Sequence, residues 1–292
     1  MDYKSVLEQE NSVLIKDVQN FNLRDIFECG QCFRWNATDK GTYIGVVYGK
    51  VIEIEKKGND VIIYNINIEE FNDLWSEYFD LNTAYEGIIE ELSKDSLLKK
   101  ACDFGSGIRI LKQDPFEITL SFIISANNRI PMIKRAIKNI SEKWGEKIEY
   151  KEETYYTFPT LESLSKATIE DLESCGVGFR GKYLYDTIQK LYNNEENLES
   201  IKVLDDEDCH KAMQKFNGIG PKVSDCIILF SMQKYSAFPV DVWVKRAMMH
   251  FYVAPDVSLP KIRAFGRDKF GELAGFAQQY LFYYARENDI KV

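Results

Sequence analysis

With 292 residues, 45% of them hydrophobic and 13% aromatic, the chain has the length and apolar content of one large or two medium globular domains, which argues against a disordered chain. A formal net charge of −9 argues against a broadly basic nucleic-acid binder, and no apolar run approaches the roughly 18 residues of a membrane span. The charge is uneven: residues 1–100 carry 11 Lys+Arg against 19 Asp+Glu, and the remainder 26 against 27.

Any nucleic-acid surface is therefore expected in the second part, acting through local basic groups and backbone amides rather than a broad field. The start, Met1-Asp2-Tyr3-Lys4, lacks the basic and apolar profile of a signal peptide, so a cytoplasmic protein is expected, and with no sign of oligomerisation in the sequence a monomer is the default. Six cysteines are scattered, with only Cys29 and Cys32 close together, and there are two histidines. That pattern builds neither a disulfide framework nor a metal or iron–sulfur site.

The first hundred residues read as β-rich. Ile52 and Ile54 alternate with Glu53 and Glu55 at the period of a half-buried strand. Tyr43 to Tyr48 and Val61 to Ile66 are rich in β-branched and aromatic residues, and Asp39-Lys40-Gly41, Gly49-Lys50 and Lys57-Gly58-Asn59-Asp60 separate the runs as turns. From about residue 67 the period becomes helical, strongest over 117–142, 161–193, 206–216, 222–233, 242–252 and 270–286. The fold class is thus α+β: an N-terminal antiparallel β-sheet domain with flanking helices over 1–110, then a helical region over 111–292.

The chemistry concentrates between Asp205 and Tyr252. Asp205-Asp206 caps a helix with an apolar face of Cys209, Ala212, Met213 and Phe216, and Asn217-Gly218-Ile219-Gly220 ends it. Pro221, a favoured first helical residue, opens a second helix with Val223, Cys226, Ile227 and Phe230 on one face. The result is a glycine hairpin between two helices, spanning 206–233. Its glycines allow close backbone approach, and the free N–H groups of the second helix favour an anion. The same pattern also suits a plain helix corner.

Lys222 in the first turn of that second helix tips the balance. The helix dipole and partial burial there are expected to lower the amine pKa, and a neutral lysine is a nucleophile that forms imines. Further along, Pro239-Val240-Asp241 places a carboxylate where it both caps the next helix and can stabilise positive charge developing on a sugar. Lys245 and Arg246 are candidate phosphate contacts.

These residues resemble the helix–hairpin–helix DNA glycosylase superfamily: Gly218-Ile219-Gly220, then Lys222, then Pro239-Val240-Asp241, with the aspartate 19 positions after the lysine. Within it the chain looks like a prokaryotic member of the 8-oxoguanine DNA glycosylase/lyase branch. Gly30-Gln31-Cys32-Phe33-Arg34-Trp35 resembles that branch's N-terminal signature, Ser125-Ala126-Asn127-Asn128 its wedge loop, and Gly176-Val177-Gly178-Phe179-Arg180 its second wedge. Endonuclease III and the adenine glycosylases usually carry a C-terminal four-cysteine cluster, which this sequence lacks.

The resemblance implies a helical HhH-GPD core without an iron–sulfur cluster and a duplex DNA substrate containing 8-oxoguanine, hence a nucleoid association. It implies no cofactor beyond a monovalent cation at the hairpin carbonyls. By resemblance, Lys222 attacks C1′, forms a Schiff base and permits β-elimination, supported by Asp241. The Gly30 carbonyl accepts the N7–H of 8-oxoguanine, Cys226 and Phe282 sandwich the flipped base, and Gln278 bonds its Watson–Crick edge. Asn127, beside Asn128, fills the vacated stack, Phe179 wedges it and Arg180 reads the opposite cytosine. Gly218, Gly220, Val223, Trp243 and Lys245 complete the DNA contacts. Two departures stand out. Trp243 occupies the place of a phosphate-contacting histidine, and Met132 that of a second arginine for the opposite cytosine, which predicts relaxed opposite-base preference.

Other readings compete. Cys29-Gly-Gln-Cys32 has the spacing of a redox motif, but it precedes a run of strands rather than opening a helix after a strand. The hairpin alone fits a non-catalytic DNA-binding module, and a glycosylase for another lesion, such as an alkylated base, shares much of the pattern. Tyr280, Tyr283 and Tyr284 read as core, as does Cys209, and His210 and His250 as satisfied or surface groups.

Overall fold

The computed structural model describes residues 1–253 and 257–290. Strands β1 (Ser5–Gln9), β2 (Ser12–Lys16), β3 (Trp35–Ala37), β4 (Tyr43–Val47), β5 (Lys50–Lys57) and β6 (Asp60–Tyr64) form one antiparallel sheet in the order β1-β2-β6-β5-β4-β3. The β4–β5 hairpin closes through Tyr48 and Gly49, both with positive φ, the geometry that matches the natural strand twist. Ile52 and Ile54 are fully buried, in line with the alternation.

Glu53 departs from it: it is 4% exposed, accepting from Thr42 Oγ1 at 2.6 Å and Tyr150 Oη at 3.2 Å and pairing with Lys151. The cause is a small hairpin, β7 (Lys147–Tyr150) and β8 (Glu153–Tyr156), which brings Tyr150 and Lys151 to Glu53. Its strands are four residues each and rich in Lys and Glu, so they carry little alternation to detect.

The helical region breaks more often than its periodicity implies. The run expected over 117–142 is two helices, Pro115–Ser125 and Ile130–Trp144, parted by Asn127 at φ 50°. The run over 161–193 is cut at Gly176 and Gly178, both with positive φ, before the helix Gly181–Tyr192. Both interruptions carry expected DNA contacts. Helix Leu259–Phe270 was not anticipated from the sequence.

Two buried clusters organise the core. One lies within the sheet domain, built on Trp35, Phe71, Trp75 and Phe79. The larger spans the helices but includes Tyr85, Leu92, Leu98, Ala101 and Cys102, so the core does not divide at residue 110. Tyr280 and Tyr283 belong to it, with Tyr284 packed against it. The loop at Cys29 and Phe33 reaches from the sheet domain into this larger core, which is what carries Gly30 to the site.

Candidate active site

Asp205 caps helix Asp206–Met213 through the N–H groups of Glu207 and Asp208, and Gly220 precedes helix Pro221–Ser231. Gly218 has φ 85°, and a Cβ there would stand 2.7 Å from the Tyr183 ring, so this glycine is required twice over. Gly220 has open space around it, leaving the hairpin free to approach a ligand. The first intrahelical bond runs from Ser224 N–H to Gly220 O at 2.9 Å, so the N–H groups of Lys222 and Val223 precede the ladder. The Val223 side chain is buried, which leaves it only its backbone for contact.

Buried polar groups brace this start. His210 Nε2 contacts Pro221 O at 3.1 Å, Ser224 Oγ donates to His210 O at 2.8 Å, and Arg263 forks onto the fully buried Asp225 at 2.7 and 2.9 Å. Sequence reading missed Asp225 and Arg263. An acidic residue on an otherwise apolar helix face was the available signal. His210 is satisfied, with its pKa lowered by burial, and His250 is exposed.

A cavity of about 270 Å³ opens beside this helix. It brings together Lys222, Cys226, Asp241, Gly30, Gln278 and Phe282, residues from four separate stretches of chain. Gly30 has φ 81°, and a Cβ there would press on the Phe282 ring at 3.3 Å. Gln278 is 4% exposed, with Nε2 donating to Pro239 O at 3.0 Å and Oε1 buried without a partner. That open acceptor faces a cost of about 1–3 kcal/mol unless a ligand supplies a donor. A larger cavity, about 390 Å³, lies between β3–β4 and helix Ile130–Trp144, but none of the candidate catalytic or base-contacting residues lines it.

Asp241 caps helix Val242–Phe251, accepting from Trp243 N–H at 3.0 Å and Val244 N–H at 2.8 Å. Burial raises its pKa above the usual carboxylate range, offset in part by those two N–H groups and by Lys222. The Lys222 ammonium lies 5.6 Å from the centroid of the Phe122 ring. Burial pulls its pKa down, but Cys226 and Asp241 outweigh that and the net direction is upward. The expected depression of the amine is therefore reversed, because Cys226 and Asp241 together outweigh its burial. Burial also pushes the Cys226 thiol to about 11, so at neutral pH Cys226 is uncharged and Asp241 is the anion beside the amine.

Asn127, Met132 and Phe179 are exposed, Phe179 at 56% and Met132 at 44%. Asn128 is turned inward instead, with Nδ2 donating to Ile124 O at 3.1 Å. Arg180 is 7% exposed, and its guanidinium donates to the carbonyls of Ala126, Asn127 and Val177. These include end-of-helix carbonyls lacking intrahelical partners, so Arg180 braces the loop at Asn127 and its donors are engaged within the protein. Trp243 lines the cavity mouth with Arg246 at 4.8 Å over its ring, and Lys245 lies one helical turn on from Asp241.

Cys29 and Cys32 are buried, with thiols bonded to the carbonyls of Ile26 and Phe27, and burial pushes Cys29 to about 12. Neither offers a thiolate for redox exchange. Among the described residues no group of three His, Cys, Asp or Glu side chains is placed to hold a metal, and no helix is long and apolar enough to cross a membrane. Arg286, which the sequence reading did not single out, also lines the cavity. Its place one turn beyond Phe282, as Phe282 lies one turn beyond Gln278, was the signal that could have found it.

The model of the 8-oxoguanine DNA glycosylase N-terminal domain matches residues 13–119, and that of the HhH-GPD superfamily base excision DNA repair protein matches 120–269. A probable N-glycosylase/DNA lyase of Methanothermobacter thermautotrophicus is 34% identical over 232 residues, 73% of this chain and 74% of that one. An N-glycosylase/DNA lyase of Arabidopsis thaliana is 30% identical over 276 residues, 88% of this chain and 75% of its own. The crystal structure of Clostridium acetobutylicum 8-oxoguanine glycosylase/lyase, in complex with double-stranded DNA containing cytosine opposite to 8-oxoguanine, superposes with a TM-score of 0.98 at 64% identity, covering 99% of this chain and 100% of that one. This chain belongs to the HhH-GPD superfamily of base excision DNA repair proteins, in the branch whose N-terminal domain is that of 8-oxoguanine DNA glycosylase.

Proposed function

We propose that the protein excises 8-oxoguanine from duplex DNA and then nicks the strand. The observation that carries this reading is one cavity holding an amine, a carboxylate, an aromatic face and an unpaired buried amide acceptor. A non-catalytic DNA-binding module needs the hairpin but not that cavity.

In this reading the duplex lies on the hairpin, with phosphates received by Gly218, Gly220 and the N–H of Val223 and, near the cavity mouth, by Lys245 and Trp243. The target base leaves the stack and enters the cavity, and Asn127 and Phe179 occupy the gap. Unstacking costs a few kcal/mol, which the pocket contacts offset. Phe282 and Cys226 hold the base between them. Its N1–H and amino group meet the open Oε1 of Gln278. Its N7–H, which guanine lacks, donates to the Gly30 carbonyl.

The neutral Lys222 amine then attacks C1′. The glycosidic bond breaks and the base departs with the electron pair, while Asp241 stabilises positive charge on the sugar. One amine proton passes to the departing base and the other to O4′ as the sugar ring opens to an imine. Removal of a C2′ proton then expels the 3′ phosphate. The opposite base is read weakly, because Met132 offers no hydrogen bond and the Arg180 donors are engaged within the protein. The hairpin carbonyls are the place a monovalent cation would occupy, and no step depends on it.

The test is single-turnover base release and strand nicking on duplexes containing 8-oxoguanine, an alkylated purine or no lesion. Release confined to the 8-oxoguanine duplex supports the reading. Release of the alkylated base alone, or binding without release, overturns it.

A further inference from the structure

We propose that Arg286 is a positioning residue for base recognition: it clamps the turn carrying Gly30 to the ring of Phe282. This rests on the assignment of those two groups to the base just given.

Gln278, Phe282 and Arg286 form an i, i+4, i+8 row on helix Ala274–Glu287, and all three line the cavity. The Arg286 guanidinium carbon lies 5.2 Å from the Phe282 ring centroid, and Nη2 donates to Glu28 O at 2.5 Å. A Cβ on Gly30 would lie 3.3 Å from the Phe282 ring and 3.8 Å from Arg286 Nη1. One side chain thus touches the stacking ring and the backbone two residues before Gly30.

The clamp is itself held. Arg286 Nε donates to Glu287 Oε1 at 3.1 Å, and Glu287 Oε2 accepts from Arg24 Nη2 at 3.3 Å. Arg24 Nε reaches Glu28 Oε2 at 3.4 Å, and Glu28 Oε1 accepts from Tyr43 Oη at 2.5 Å. This ring of charges joins helix Leu23–Glu28 to the last helix, across the two sides of the pocket.

Gly30 has a positive φ and no side chain, so nothing of its own fixes where its carbonyl points. Telling 8-oxoguanine from guanine by one donor requires that acceptor to be held within about 0.5 Å.

The test compares two rates in each preparation of wild type, Arg286→Met and Arg286→Lys. One is excision of 8-oxoguanine opposite cytosine. The other is strand cleavage at a preformed abasic site, which has no base to recognise. Arg286→Met is expected to lower excision about tenfold, the scale of one lost hydrogen bond to a charged group, and to leave abasic-site cleavage within about twofold. Arg286→Lys, keeping charge but one donor nitrogen, falls between, and it carries the comparison if the methionine variant does not fold. Parallel losses in both rates, or no loss in either, overturn the proposal. A wild-type enzyme that cleaves abasic sites without excising 8-oxoguanine overturns the base assignment first, and the clamp with it.

Discussion

Arg180 Nη2 donates to the backbone carbonyl of Asn127 at 2.9 Å while Nε and Nη2 hold Ala126 O at 2.9 and 2.6 Å, so the loop at Asn127 and the segment carrying Phe179 form one unit. Arg180→Ala is expected to destabilise the protein by about 2 kcal/mol, because several carbonyls lose a charged donor in a buried setting. Phe179→Ala, at a side chain 56% exposed, is expected to leave stability within about 0.5 kcal/mol while lowering excision. Thermal unfolding beside single-turnover excision separates the two effects.

Opposite-base selectivity follows from the same unit. With Met132 exposed and Arg180 engaged, excision rates opposite C, A, G and T should agree within about tenfold, the range one missing hydrogen bond covers. Met132→Arg adds a donor and should favour cytosine. A wild-type preference for cytosine far above tenfold contradicts this account.

The pH dependence has a defined sign. The Asp241 pKa is raised and that of Lys222 is raised overall, so acidification removes the carboxylate early and keeps the amine protonated. Excision should therefore rise from acid to alkaline pH. Asp241→Asn removes the anion that raises the amine pKa, so the rising limb should move to lower pH while the plateau falls roughly a hundredfold. Asparagine caps a helix as well as aspartate does, so the fold should survive. A pH–rate profile of both proteins decides it, and an unmoved limb removes Asp241 as the group that sets the amine.

The two hairpin glycines should behave differently. Gly218→Ala meets both a positive φ and the Tyr183 ring, and should cost more than about 1–2 kcal/mol. Gly220→Ala has open space and should fold normally, yet weaken DNA binding by crowding the phosphate side. Unfolding curves and duplex affinity at fixed salt distinguish the pair.

Much of this was legible in the sequence because it is local. The hairpin, its Pro221 start, Lys222 and the Asp241 cap are set by residues within a turn of one another, and the turns of the meander by their glycines. What the sequence hid depends on distant partners. The burial of Glu53 required β7 and β8, whose short charged strands have almost no apolar period. Arg180 is exposed by composition but buried by the carbonyls it meets. The amine pKa was expected to fall from local dipole and burial, and it rises because Cys226, one turn on, and Asp241, 19 positions on, outweigh burial. The Asp225–Arg263 pair and the Arg286 clamp likewise join segments that no local pattern connects.

The most direct test is borohydride trapping on a duplex with one 8-oxoguanine opposite cytosine, for wild type and Lys222→Gln. The account predicts a covalent protein–DNA adduct with wild type and none with the variant, whose duplex binding persists. An adduct that survives the substitution, or base release by wild type with no adduct, would contradict Lys222 as the covalent nucleophile.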